Sequence, residues 1–458
     1  MSFVLFDLIF LLVFCLFVGI FLYVNRKNIK KEGLMILYKT KLGLEAIEYI
    51  GKKYKKFLNK SEIFVSIIGY LLMIASVFLI IQMVWIFLKR PELVSAVKIP
   101  PIAPLIPYLP QLFKADYLPP FYFTYWILVL GVTAVVHEFF HGFYAKARNI
   151  RILSTGLAFL GPFFGAFVEP DENQVKKLKE REQIGFLAAG SFSNLLTAGV
   201  FFILFIIYFF IAYTPSGATF DSYAFSVVNT SFIEVGNHTF KADGLNLVSV
   251  KILNSTYYLE QANLAKLANQ SQMIAYDDAP AVRAGVIGAI VQADGKKIRS
   301  QKQLSNFLES KKAGDEINLV TEFNGSKNNY KITLEARIDN GGAYLGVVSF
   351  KTQTKGFVGM IRERLSFFKQ ENTYYKTRFD GDLVIFIYNL IWWMILINLS
   401  VALFNMLPLG ITDGGKVFYF TMIELTKSEK FAKISYKAIT YLIIAIFIAI
   451  TLYWIFRF

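Results

Sequence analysis

Six long runs of apolar residues divide the chain, and stretches rich in charged residues separate them. The runs cover residues 3–24, 63–88, 121–143, 184–213, 383–407 and 434–456. Each is long enough to cross a lipid bilayer as a helix. We therefore expect a polytopic α-helical membrane protein with about six spans.

The basic residues between these runs predict an orientation. Lysine and arginine are concentrated in residues 26–60, 146–181 and 427–437, and such loops stay on the cytoplasmic side of a membrane. One alternating topology satisfies all three, with the N-terminus and residues 214–382 outside. The first run has no basic residue before it and four within residues 26–31. That order is the reverse of a cleavable signal peptide, so we expect this run to remain as an anchor.

Three shorter segments carry weaker patterns. Residues 156–168 are apolar, too short to span and interrupted by glycine, which favours a re-entrant β-hairpin. Residues 30–60 mix leucine and isoleucine with lysine, as expected of a helix in the headgroup layer or of a solvated basic helix. The proline-rich stretch 91–120 either covers the outer mouth of the molecule or links two spans.

Between the fourth and fifth runs the chain is polar. Residues 280–285, 290–295, 304–308 and 330–334 predict short strands, a turn and a helix, in an order that resembles a PDZ domain. A generic small α+β domain is the alternative. Glycosylation sequons within residues 214–269 are weak support for an outside location.

Composition agrees with a membrane protein and limits the partners. Hydrophobic residues make up 55% of the chain, and the mean hydropathy is +0.47. The net charge of +15 lies largely in short loops beside the spans, where topology and lipid explain it, so we expect the lipid bilayer and no nucleic acid as partners. Cys15, the only cysteine, excludes an intramolecular disulfide and a cysteine-ligated metal.

The candidate chemistry begins at the end of the third run, where the chain reads His137-Glu138-Phe139-Phe140-His141. Histidines at i and i+4 share one helical face and suit a tetrahedral zinc ion, and the glutamate beside them is free to move protons. Polar groups at this depth are costly and are usually functional. Two core histidines satisfied by backbone carbonyls are the alternative. We interpret His238, the third histidine, as a surface residue.

A third ligand must come from elsewhere in the chain. In one common zinc motif a third histidine follows, but Ala147 stands at that position. After the fifth run, Pro408 and several glycines break the helix at the membrane edge and hold Asp413 at a chain reversal. Taken alone, Asp413 is better explained as a capping residue in a cytoplasmic turn.

The motifs together resemble the site-2 protease family of intramembrane zinc metalloproteases. They are His-Glu-x-x-His late in one span, Ala-Gly-Ser-Phe-Ser-Asn194 early in the next, and Asn405-x-x-Pro408 with Asp413-Gly-Gly late in a third. The resemblance covers about residues 122–213 and 383–424. Ser191 replaces a proline usual in the family, and Thr412 replaces a leucine usual before Asp-Gly, which affects the geometry of these turns and removes no catalytic group.

The resemblance implies an activity and a site. The implied site residues are His137, His141 and Asp413 as ligands of one Zn²⁺, Glu138 as general base, and Asn194 and Asn405 as groups that hold the substrate backbone or the oxyanion. The implied substrates are single-span membrane proteins, trimmed beforehand by another protease, as in regulated intramembrane proteolysis. The hairpin strand would pair with an unwound substrate, and the active site would face the cytoplasmic side.

This interpretation divides the chain into seven parts. They are residues 1–119 with the first two spans, 120–213 as the first part of the catalytic core, 214–269 as a polar outer segment, 270–350 as the PDZ-like domain, 351–381 as a linker, 382–426 as the second part of the core, and 427–458 as the last span.

Two other functions stay open. One is a proteolytically inactive membrane adaptor that binds partners through the PDZ-like domain. The other is a membrane-anchored zinc protease that acts on soluble or lipidated substrates at the cytoplasmic surface, a type that usually takes a glutamate from a separate helix as its third ligand.

Overall fold

The structure is a computed structural model that describes residues 3–33, 35–90, 100, 105–115, 118–160, 163–242, 244–337, 341–349 and 367–456. The chain divides into two compact units. We call Met1–Tyr208 with Ile385–Phe458 the helical unit and Phe209–Val384 the β-rich unit. Much of the predicted proline-rich stretch 91–120 and of the predicted linker 351–381 lies outside the described residues.

Helices dominate the helical unit. The α-helices in the described residues are α1 (Phe3–Val24), α2 (Leu44–Lys53), α3 (Lys55–Lys89), α4 (Leu109–Leu112), α5 (Phe123–Ala147), α6 (Glu172–Val175), α7 (Glu180–Ala212), α8 (Pro280–Arg283), α9 (Gln301–Glu309), α10 (Gly381–Asn405), α11 (Asp413–Thr426) and α12 (Glu429–Ile455). Six of them, α1, α3, α5, α7, α10 and α12, are long and apolar enough to cross a membrane. The prediction of six such helices is confirmed.

A buried carboxylate fixes the start of α5, the helix that carries His137 and His141. Asp7, in the apolar helix α1, is fully buried and accepts the backbone N–H groups of Phe123 at 2.7 Å and Thr124 at 2.9 Å. It also accepts hydrogen bonds from the hydroxyl groups of Tyr108 and Thr124. The first N–H groups of a helix have no partner within the helix, so Asp7 caps α5 from a neighbouring helix.

An arginine fixes the other end of α5. Arg148 contacts Glu62 of α3, and its Nη1 lies 2.7 Å from Oε1 of Glu182 in α7. Glu62 is buried, and its charge needs such a partner. Helix α3 begins at Lys55, eight residues before the apolar run that predicted it, and so includes Glu62. Both ends of α5 are therefore held by polar contacts from neighbouring helices, fully buried at Asp7 and partly buried at Arg148.

A four-stranded antiparallel sheet lies in the helical unit. Its strands are β1 (Ile29–Glu32), β2 (Met35–Thr40), β3 (Ile152–Leu160) and β4 (Phe163–Pro170), in the order β1-β2-β3-β4. The predicted hairpin forms as β3 and β4, although residues 161–162 of its turn lie outside the described residues. The prediction of one helix over residues 30–60 is wrong at its start, because residues 35–40 pair with β3 instead. That partner lies more than 100 residues away, so local periodicity could not indicate it.

Strands dominate the β-rich unit. They are β5 (Tyr213–Ala218), β6 (Ser222–Tyr223), β7 (Phe225–Asn229), β8 (Ile233–Ala242), β9 (Leu245–Ile252), β10 (Ser255–Glu260), β11 (Gln272–Asp277), β12 (Ala289–Ala293), β13 (Lys296–Lys297), β14 (Glu316–Phe323), β15 (Ser326–Thr333), β16 (Glu335–Ala336), β17 (Ala343–Tyr344), β18 (Val347–Val348) and β19 (Thr373–Thr377). One sheet has the order β7-β11-β10-β9-β8, and a second has the order β15-β14-β12-β5-β19. The predicted polar segment 214–269 is therefore largely strand.

The elements expected of the PDZ-like domain are present within the β-rich unit. Strand β12, helix α9 and strand β15 lie where the sequence predicted a strand, a helix and a closing strand. The sheet that contains β12 and β15 also contains β5 and β19, which lie outside the predicted range 270–350. Its core likewise includes Ala218 and Leu247. The sheet thus joins segments that the sequence pattern had assigned to three separate parts.

Candidate metal centre

The two histidines of α5 lie side by side and are buried. His137 and His141 are each 8% exposed, and their Nε2 atoms are 3.2 Å apart. This closeness follows from the i, i+4 spacing, which places both side chains on one face of the helix.

Asp413 joins them from a different part of the chain. Helix α10 ends at Asn405, and α11 begins at Asp413. One carboxylate oxygen of Asp413, Oδ2, lies 3.3 Å from Nε2 of each histidine. The carboxylate also sits at the positive end of the α11 dipole, a favourable position for an anion.

The turn before Asp413 explains why threonine precedes this residue and why two glycines follow it. Thr412 caps α11 by accepting the N–H of Gly415 at 3.3 Å, and its hydroxyl donates to the carbonyl of Leu407 at 2.6 Å. A leucine would lack both contacts, so threonine here stabilises the turn rather than disrupting it. A Cβ at Gly414 or Gly415 would collide with the carbonyl groups of Met406 or Leu409. The two glycines after Asp413 are therefore required by close backbone packing.

The geometry of this group fits a zinc ion. The three ligand atoms all lie within 4.8 Å of one another. Tetrahedral ligands placed about 2.05 Å from zinc are separated by about 3.3 Å, which agrees with the distances of 3.2 and 3.3 Å between Nε2 and Oδ2 atoms. Two imidazoles and one carboxylate form a donor set typical of catalytic zinc sites, which keep a fourth position open.

Gly190 of α7 leaves room beside the ligand nitrogens. A Cβ on this residue would lie 2.6 Å from Nε2 of His137 and closer still to Nε2 of His141. Any larger side chain would therefore fill the space next to the two nitrogens. Among the residues that the structure describes, this is the only glycine whose added Cβ would meet both histidines.

A backbone carbonyl and a side-chain amide contact the Nδ1 atoms of the two imidazole rings, on the side away from Asp413. Nδ1 of His141 donates to the carbonyl of Phe186 at 2.9 Å. The side-chain amide of Asn194 lies 3.1 Å from Nδ1 of His137. When Nε2 binds a metal, the ring proton sits on Nδ1 and needs an acceptor, which fixes ring orientation and basicity. The Phe186 carbonyl accepts it from His141. The Asn194 atom nearest Nδ1 of His137 is the donor Nδ2, while its buried Oδ1 has no hydrogen-bond partner, so a rotated amide would accept the His137 proton through Oδ1.

The two predicted asparagines occupy different places. Asn405 lines a cavity of about 370 Å³ together with His137, Glu138 and Asp413. Asn194 is fully buried behind His137 and lines neither cavity described here. The structure thus brings Asn405 to the open side of the site and Asn194 to the far side of a ligand.

Glu138 lies between the ligands and the sheet. Its Oε2 accepts the backbone N–H of Val168, in β4, at 3.0 Å. It lines the small cavity and also a larger cavity of about 1280 Å³ that contains the three ligand residues. The carboxylate is therefore accessible from both cavities.

Sequence reasoning included Gly190 in the motif that ends at Asn194 but gave it no role, and it did not identify the Phe186 carbonyl or the Val168 N–H as parts of the site. The glycine had a signal, since it precedes Asn194 by four residues and so shares a helical face with it. The other two groups belong to the backbone, and any residue supplies them, so no pattern of side chains could reveal them.

A family model and a relative of known sequence both match this chain. The model of peptidase family M50 matches residues 125–450, a range that includes all six predicted site residues. MJ0971 of Methanocaldococcus jannaschii, an uncharacterized protein, is 29% identical over 194 residues, which are 41% of this chain and 48% of that protein. The chain thus spans about half the length of that relative.

Proposed function

Because this chain belongs to peptidase family M50, the site-2 protease family, we propose that it is an intramembrane zinc protease that hydrolyses peptide bonds in or near the transmembrane segments of other membrane proteins. Its family and its six apolar helices make it an integral membrane metalloprotease. The observation that carries the finer proposal is the group of His137, His141 and Asp413, formed by a helix and a turn of the apolar helical unit.

The proposed cofactor is one zinc ion held by these three residues. Bound there, zinc would supply Lewis-acid chemistry by polarising the scissile carbonyl and acidifying an attacking water. The Phe186 carbonyl and, with its amide rotated, Oδ1 of Asn194 would accept the Nδ1 protons and so keep the two imidazoles in the orientation that presents Nε2. In the described residues the metal-binding group contains no glutamate, which argues against the surface-acting protease type.

Glu138 is the proposed general base. Its carboxylate would take a proton from the attacking water and pass it to the leaving amine. The hydrogen bond from the N–H of Val168 holds the Glu138 carboxylate beside β4. The distance between the proton acceptor and this strand is therefore fixed. Asn405, on the small cavity, would donate its amide N–H to the substrate carbonyl or backbone.

The substrate would bind as an added strand on β4. This strand is the outermost of its sheet, and an edge strand offers unpaired N–H and C=O groups. Since the N–H of Val168 points to Glu138, away from β3, the alternation along the strand also turns the N–H of Ala166 outward. A substrate helix would have to unwind locally to pair here, which favours helix-weakening residues near the cut.

The proposed orientation places the N-terminus and the β-rich unit outside and the active site toward the cytoplasm, as the basic loops predict. A PDZ-like domain in the β-rich unit would then act on the outer side and restrict access to single-span substrates already trimmed by another protease. The strand and helix order of β12, α9 and β15 supports this assignment.

The test combines metal analysis with cleavage. Purified wild type, Glu138→Gln and Asp413→Asn would be compared in detergent for bound zinc and for hydrolysis of a model single-span substrate. We expect one zinc in wild type and in Glu138→Gln, less in Asp413→Asn, and cleavage only by wild type, abolished by a chelator and restored by zinc.

Two outcomes would contradict the proposal. Folded wild type with no zinc and no cleavage would favour the inactive adaptor. Full zinc and activity in Asp413→Asn would show that the third ligand is wrong.

A further inference from the structure

The larger cavity has a wall of positive charge that the proposed chemistry does not use. We call it the cationic wall. It consists of Lys416 and Tyr419 on α11 and Lys433, Tyr436 and Lys437 on α12. These residues line the same cavity as Glu138 and the three ligand residues. A group bound at this wall would therefore share one space with the reacting bond.

The cationic wall is tied to the metal centre through α11 and its preceding turn. Lys416 follows Asp413 by three residues, so the two side chains lie on one face of α11. On α12, the hydroxyl of Tyr436 donates to the carbonyl of Gly410 at 2.8 Å, in the turn that leads to Asp413. The position of the wall relative to Asp413 is thus fixed by short connections.

The positive charge of this wall is not balanced locally. Lys433 pairs with Glu429 at 2.7 Å. Lys416 and Lys437, both exposed, have no carboxylate partner among the residues that the structure describes. The cavity therefore carries two cations without a counter-charge on this side.

Three carboxylates on the β4 side of the cavity, Glu169, Asp171 and Glu172, have hydrogen-bond or ion-pair partners on that same side. Oε2 of Glu169 lies 2.6 Å from Nζ of Lys39. Asp171 caps α6 by accepting the N–H of Asn173 at 3.0 Å. Glu172 pairs with Lys176. These groups belong to the side of the cavity that includes β4, so the two free lysines are open to an anionic ligand from outside the chain.

We propose that the cationic wall selects substrates that carry an acidic side chain beside the cleaved bond. The inference rests on the proposed function, because it concerns a peptide paired with β4. Such a peptide would enter the cavity between β4 and the wall, where Lys416 and Lys437 face it. An anionic lipid headgroup offers related chemistry, but the shared cavity with Glu138 and the metal ligands favours the peptide.

The test exchanges charges between substrate and enzyme. Three versions of one cleaved single-span substrate would carry glutamate, glutamine or lysine at the residues flanking the mapped cleavage site. They would be presented to full-length wild type, to Lys416→Glu/Lys437→Glu and to the control Lys430→Glu, an exposed α12 residue outside the cavity wall. Zinc content would be measured on each enzyme to show that the site is intact.

We expect wild type to cleave the glutamate substrate with kcat/KM about 3- to 10-fold above the lysine substrate, the size of partly exposed charge pairs. High salt should reduce this preference. The double variant should reverse it, and Lys430→Glu should keep it. A milder variant, Lys416→Gln/Lys437→Gln, should abolish the preference without reversing it, which covers the case that charge reversal disturbs the fold.

Each other outcome overturns the inference in a distinguishable way. If wild type cleaves the glutamine substrate but shows no charge preference, the wall does not select substrates, although the proposed function stands. If both double variants keep the preference for the glutamate substrate, residues other than Lys416 and Lys437 select the substrate. If rates depend instead on phosphatidylglycerol in the bilayer, and the variants lose that dependence, the wall binds lipid. If wild type cleaves no substrate at all, the proposed function itself fails.

Discussion

At the scale of single residues, Gly190 decides how closely α7 approaches the metal ligands. An added Cβ would meet the ligand nitrogens of both histidines. Helix α7 must pass this close because Asn194, one turn later, contacts His137. The absence of a side chain at position 190 is thus as much a part of the site as the ligands themselves.

We predict that Gly190→Ala removes bound zinc and cleavage. The methyl group would displace His137 or His141, and a shift of a ligand by a few tenths of an ångström is enough to spoil a tetrahedral site. Zinc per chain in purified protein would fall from one to well below one, with little change in helix content by circular dichroism.

The matched control is Gly199→Ala, in the same helix, where an added Cβ meets nothing within 4 Å. It should keep full zinc, and as an alanine within a helix it should not destabilise α7. Equal zinc in the two variants would show that α7 does not confine the metal centre.

At the scale of elements, β4 connects the sheet to the chemistry. Its edge position and the contact between Val168 and Glu138 follow from the pairing of β3 with both β2 and β4. Sequence reasoning found the hairpin, because apolar residues and glycines over 156–168 are a local pattern. It missed β1 and β2, because their strand conformation depends on a partner distant in the chain.

We predict that Ala166→Pro blocks cleavage but leaves zinc in place. Proline removes the outward N–H of residue 166 without breaking a bond to β3, and the preceding Gly165 tolerates the restriction that proline imposes. A substrate strand would lose one hydrogen bond and meet the pyrrolidine ring, so kcat/KM should fall at least tenfold.

The control for this prediction is Ala166→Val, which keeps the N–H and favours a strand. Cleavage assays and metal analysis of both variants would check it. Normal cleavage by Ala166→Pro would mean that the substrate does not add to this edge.

At the scale of the whole molecule, the six apolar helices make the chain an integral membrane protein, while its orientation rests on the distribution of basic loops. Charge patterns act during insertion, before tertiary contacts form. The orientation in the membrane is therefore predicted from the sequence, and a labelling experiment in cells tests it directly.

We predict that Lys302, in the β-rich unit, is outside and that Lys56, at the start of α3, is cytoplasmic. Both are exposed, and Cys15 is the only native cysteine, so Cys15→Ala provides a clean background. With a membrane-impermeant maleimide, Lys302→Cys should label in intact cells and Lys56→Cys only after permeabilisation. The reverse pattern would invert the proposed topology.

The sequence by itself determined the six spans, the histidine pair and the turn that presents Asp413. Hydrophobic length, helical spacing and helix-breaking residues act within a few residues of each other, so each leaves a readable local pattern. These features indicated the histidine pair as candidate ligands, and the motifs together indicated the family. Asp413 as a third ligand was implied by the family resemblance and not by its own turn.

Only the tertiary structure decided which groups surround those ligands. It placed Asn194 behind His137 and Asn405 on the small cavity, and it brought Gly190 against both histidines. It also joined β5 and β19 to one sheet and set Lys416 and Lys437 in the larger cavity that Glu138 lines. Each of these relations joins residues far apart in the chain, and it depends on packing and backbone hydrogen bonds that a local pattern does not encode.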